Sequence, residues 1–172
     1  MTTHKDRLGY EDEGCEAGRA GLPKREAFDF TLAEDVCLDV TREVLSMYMT
    51  ADARHWHSAV VFAQRHLGQC NAVRLIAEVT TLVMALRLER HSSFNYLTFG
   101  CAHITSDELA LMSAMQAAGG QSYELDDALQ HLVQSGCCAR LRLALGRLRA
   151  ALDAMSERET FSGEPGGSQH MH

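Results

Sequence analysis

Thr31–Met49 reads TLAEDVCLDVTREVLSMYM, and its periodicity decides the class of the fold. Thr31 and Glu34 have the spacing of a capping box, in which a hydroxyl and a carboxylate each accept from a backbone N–H left unpaired at a helix start. Leu32, Val36, Val40, Val44 and the pair Met47/Tyr48 then recur at helical spacing. Leu38, Leu45 and Met49 form a second stripe, so more than half of this helix is apolar.

Downstream the same period continues. A break near Thr50–Asp52 precedes a second helix, Ala53 to Leu67, closed by Gly68. A third, Asn71 to Arg90, carries apolar residues on two opposite faces: Leu75, Val79, Leu82 and Leu86 on one, Val73, Ala77, Met84 and Leu88 on the other. Helices apolar nearly all round are interior elements, which makes this one the expected centre of the fold or a subunit interface. Thr105 and Glu108 form a second capping box and open a helix that ends at Gly119-Gly120. Ser122 opens the next, with Leu125, Leu129, Leu132 and Val133 facing inward. In the last, Cys137 to Glu157, Cys138, Leu141, Leu145, Leu148, Leu152 and Met155 form a heptad seam.

Strand-type alternation is nowhere sustained, and only two prolines occur, Pro23 and Pro165, both outside the periodic region. The expectation is an all-α bundle of five to six helices forming one domain over residues 30–158. Residues 1–29, glycine-rich, charged and aperiodic, read as a disordered arm, and residues 159–172 as a flexible tail.

The chain has 172 residues, 46% of them apolar and 23% charged, with a net charge of −7. That balance argues against non-specific nucleic-acid binding, which needs an excess of Lys and Arg to neutralise phosphates. Residues 106–118 and 123–134 can be drawn as a helix-turn-helix, but the second helix would present Glu124, Asp126 and Asp127 to the phosphates. Charge is unevenly placed. His91 to Gly136 contains five acids and no Lys or Arg, whereas Cys137 to Arg158 contains five arginines against Asp153 and Glu157. An acidic helical pair lying against a basic helix accounts for this.

No apolar stretch is free enough of charge to span a bilayer, and the first thirty residues lack a signal-peptide core. The six cysteines are therefore expected as thiols in a reducing cytoplasm.

Chemistry concentrates in Leu97–Leu111, LTFGCAHITSDELAL, where Cys101 and His103 precede a helix start. A thiol and an imidazole two residues apart can share a metal such as zinc, with His91 at the far end of the loop as third ligand. A redox-responsive thiol, with His103 as base, is the other use. A buried cysteine beside a loop histidine is the plain structural reading. His55, His57 and His66 offer no imidazole pair one turn apart. Glycine-rich phosphate loops, GxSxG and HExxH are absent from the sequence.

With no complete catalytic set, the residues point to a non-enzymatic interaction or regulatory protein acting through apolar helix faces. The partner is another protein or a second copy in a homo-oligomer, and the docking surface expected from the surplus stripes is Leu38, Leu45 and Met49, or Leu141, Leu145, Leu148 and Leu152. A metal-binding or thiol-based redox protein built on Cys101, His103 and His91 is the alternative.

Overall fold

A computed structural model of the chain describes residues 21–120, 122–133 and 138–161. Among the described residues, five helices follow a 3₁₀ turn at Arg25–Ala27: α1 (Leu32–Thr50), α2 (Ala53–Glu89), α3 (Ser106–Ala117), α4 (Ser122–Val133) and α5 (Ala139–Phe161). No strand occurs among the described residues; one isolated antiparallel bridge joins Lys24 to His103.

Both capping boxes form as their spacing predicts. Thr31 Oγ1 accepts from the Glu34 amide while Glu34 accepts from the Thr31 amide, and Thr105 and Glu108 do the same for α3. Each box satisfies two amides that a helix start leaves without partners.

The helix at the centre is α1. Every residue from Ala33 to Leu45 is buried, and α2, α3 and α5 all pack against it. The helix of Asn71–Arg90, expected at the centre of the fold or at a subunit interface, does not take the central place. There Leu75, Val79, Leu82 and Leu86 are buried as expected, but on the opposite face Val73, Met84 and Leu88 are 62%, 51% and 60% exposed. Apolar content does not single out α1 because it carries Asp35, Asp39 and Arg42 into the core, where Arg25 and Glu108 from elsewhere in the chain pair with them.

Gly68 divides α2. Its φ of 75° and ψ of 165° interrupt the helix, which is where the sequence places the end of one helix and the approach to another. A straight helix would put Arg87 about 51 Å from Ala53. Instead the Arg87 guanidinium lies 4.7 Å from the centre of the Tyr48 ring, only five residues before Ala53. The chain therefore folds back at Gly68, and residues 69–89 return alongside α1.

The seam of α5 closes the core: Leu141, Leu145, Leu148, Leu152 and Met155 are all buried. The Glu89 carboxylate accepts from the backbone N–H groups of Arg140 and Leu141, so the end of α2 caps the start of α5. Three arginines of α5 are met within the chain. Arg142 pairs with Asp126, Arg147 with Glu78, and Arg149 with Glu34 and Asp153.

The ordered part of the chain begins before Thr31. Residues 21–29, expected within a disordered arm, run against the loop ahead of α3: Arg25 N donates to Ala102 O at 2.8 Å and Ile104 N to Pro23 O at 3.0 Å. Residues 1–20 and 162–172, the remainder of the expected arm and most of the tail, lie outside the described residues, as do 134–137 with Cys137.

Gly68 occupies backbone space open almost only to glycine, and a Cβ there would touch nothing within 4 Å. Gly68→Ala is expected to lower the unfolding free energy by about 1–3 kcal/mol through backbone strain alone. Urea denaturation measures it; an unchanged midpoint and slope would contradict the folded-back geometry.

Candidate functional site

Arg42 is fully buried, and all five of its N–H donors find acceptors. Nε and NH2 bind the two carboxylate oxygens of Glu108 at 2.7 and 3.1 Å. NH1 reaches the Cys101 carbonyl at 2.8 Å and Asp39 Oδ1 at 3.4 Å, and NH2 also reaches the His103 carbonyl at 2.7 Å. Glu108 is already the capping residue of α3, accepting from Thr105 N, and its Oε1 accepts from Leu97 N as well. Two helices and the second half of the loop between α2 and α3, from Leu97 to Thr105, are thus joined at one ion pair.

Arg25 extends the cluster. Its NH1 binds both oxygens of Asp39, at 3.1 and 3.0 Å, and its NH2 binds the carbonyl and carboxylate of Asp35 at 3.0 and 2.8 Å. Gly100 N adds a 3.3 Å bond to Asp39 Oδ1. The segment before α1 and the tip of the loop are pinned by the same carboxylates. A second clamp holds the start of the loop, where Arg90 donates to the carbonyls of Ser93 and Leu132 and to Asp107.

This arrangement decides what the loop's thiol and imidazole do. Cys101 and His103 enter the network through their backbone carbonyls. The Cys101 side chain is 1% exposed, His103 is half-buried with an Nδ1 that is buried and has no partner, and His91 is exposed at the far end of the loop. Among the described residues no set of three or more His, Cys, Asp or Glu side chains is placed to hold a metal ion. The N-terminus of α3 is occupied by its own capping residues, Thr105 and Glu108. Elsewhere, burial pushes the Cys37 thiol up to about 12, so it stays protonated. His66 is lowered from the usual imidazole range, first by burial and then by the Arg65 charge, and its ring leans on Phe62, which meets Phe99 of the loop edge-on. His55 Nδ1 lies 2.7 Å from Glu43 Oε2.

The docking residues expected from the sequence are placed mostly inside. Leu38, Leu45, Leu141, Leu145, Leu148 and Leu152 are all buried, and of the seven only Met49 is exposed, at 74%. Leu143 on α5 and Tyr123 on α4 are exposed singly, whereas on α2 Val73, Ala77, Met84 and Leu88 fall within an arc of about 60° on the helix. Charge around this face is one-sided. The only acids of α2 are Glu78, paired with Arg147, and Glu89, which caps α5, while Arg74 and Arg87 are exposed.

The residues that organise the site went unmarked in the sequence, apart from Glu108. Their signal was present: Asp35, Asp39 and Arg42 recur at spacings of four and three in a helix more than half apolar. Comparison with protein-family models, curated proteins and solved structures finds no match for this chain.

Removing one partner of a buried ion pair leaves uncompensated charge, so Arg42→Met is expected to cost about 3–5 kcal/mol of unfolding free energy. Arg42→Lys keeps the charge but cannot serve five acceptors in one plane, and recovers little of that loss. Urea denaturation reads both; an Arg42→Met penalty under about 1 kcal/mol would contradict the network. Thiol accessibility is expected to follow burial: in the folded protein iodoacetamide modifies exposed Cys70, whereas Cys37 and Cys101 react only on unfolding. Site-resolved mass spectrometry checks this, and labelling of Cys101 at the rate of Cys70 would contradict its placement.

Proposed function

We propose that the chain is a non-enzymatic interaction protein whose working surface is the outer apolar face of α2. One observation carries the reading. Val73, Ala77, Met84 and Leu88 stand exposed along one side of a helix whose other side is fully packed. Single exposed apolar residues are ordinary on a protein surface, but a line of them along a rigid helix is the form of a helix-docking face. Arginines on its flanks, with both local acids engaged elsewhere, add a preference for acidic partners.

The buried ion-pair cluster serves this surface by fixing its frame. With Arg42, Glu108, Asp39 and Arg25 locked, α1 is a rigid strut against which residues 69–89 of α2 are packed. A face held so firmly loses little freedom on binding. A second reading, a metal-binding or redox-responsive protein at Cys101 and His103, has in its favour the buried Nδ1 of His103 that lacks a partner. The thiol accessibility described above bears on it directly.

A photo-crosslinking amino acid placed at Met84 tests the proposal against a control at Asp29, which is exposed on the segment before α1. Met84 is expected to give protein adducts, with itself or with another protein, that the control does not. Adducts no more frequent at Met84 than at Asp29 would overturn the reading.

A further inference from the structure

A second feature of the surface complements the first. The outer sides of α3 and α4 enclose an open groove of about 790 Å³. Leu109, Ala110, Ala117 and Ala128 line it half-buried, and Glu124, Asp127 and His131 stand exposed along it on α4. None of the lining residues is Lys or Arg, in keeping with a sequence that has neither from His91 to Gly136. A channel whose apolar lining is mostly alanine lets another helix approach to the 8–10 Å of ordinary helix packing.

The outer face of α2 has the matching properties. It is convex where the groove is concave, apolar along its crest, and flanked by Arg74 and Arg87 where the groove carries Glu124 and Asp127. The crest from Val73 to Leu88 spans about 22 Å of helix axis and the groove from Ser106 to Ala117 about 16 Å, so the crest is long enough to fill the groove. The crest cannot reach the groove of its own chain, because the inner side of α2, with Leu75, Val79, Leu82 and Leu86, is packed in the core.

We infer that the chain associates head to tail, the α2 crest of one copy seated in the α3–α4 groove of the next. This rests on the reading of α2 as a working surface and names its occupant as a second copy of the chain. The two faces differ, so the contact is heterologous. Repetition gives a ring if the rotation closes, and an open chain if it does not. Opposite charges flanking the contact make the association weaken as salt rises.

The test uses the purified full chain, with mass measured by light scattering and sedimentation over a range of concentrations. Met84→Glu disables the crest and the double change Glu124→Lys/Asp127→Lys disables the groove. All three side chains are exposed, and circular dichroism verifies that each variant is folded, with Leu88→Glu as a second crest variant. The wild type is expected to grow in mass with concentration, and each variant alone to weaken association at least tenfold. An equimolar mixture of the two variants then forms a one-to-one heterodimer and nothing larger, because one intact crest and one intact groove remain between them. A wild type that stays monomeric at millimolar concentration overturns the inference. So does association that Met84→Glu abolishes but the groove variant leaves intact, since crest would then meet crest, and so does association indifferent to both variants. A monomeric chain whose Met84 position still crosslinks a different protein sinks self-association while leaving the reading of α2 in place.

Discussion

Arg42 is the constraint from which the rest of the architecture follows. A guanidinium with no exposure to water survives only if every donor is met, and here two carboxylates and two loop carbonyls meet all five. Those acceptors come from three places in the chain: α1 itself, the loop ahead of α3, and the first turn of α3. Satisfying one side chain therefore dictates where the loop crosses α1 and how α3 is oriented. Arg25 repeats the logic on the neighbouring carboxylates and draws the segment before α1 into the same cluster.

Buried ion pairs of this kind contribute little net stability, because desolvation offsets most of their Coulomb attraction. Their effect is on which structure forms. An apolar helix has several faces that can pack with nearly equal benefit, and α1 is apolar over more than half of its circumference. Asp35, Asp39 and Arg42 remove that ambiguity, since only one rotation of α1 delivers each charge to its partner. Stability itself comes from the leucine, valine and methionine layers contributed by α2, α3 and α5.

The helices were legible because their signals are local. Capping boxes at Thr31 and Thr105 and the seam of α5 each depend on residues within a few turns of one another. Gly68 was legible as a helix end for the same reason. The identity of the central helix was not, because it depends on whether charges within α1 find partners 14 and 66 residues away in the chain. The same non-local pairing gave order to residues 21–29, whose composition alone reads as a loose arm. Surplus apolar stripes were visible in the sequence, but which of them the fold would cover is set by tertiary packing. Burial of the Leu141–Leu152 seam and exposure of Val73, Met84 and Leu88 are two outcomes of one competition for the same core.

Native-state hydrogen exchange tests most directly whether Arg42 and its acceptors hold the loop and α1 as one unit. Three loop amides report on it: Leu97, bonded to Glu108, and Ile104 and Thr105, bonded to Pro23 and Glu108. The account predicts that they exchange with the same opening free energy as the buried amides of α1, and that both fall together in Arg42→Lys. Loop amides that exchange orders of magnitude faster than α1 in the wild type would show that the loop opens independently, and would contradict it.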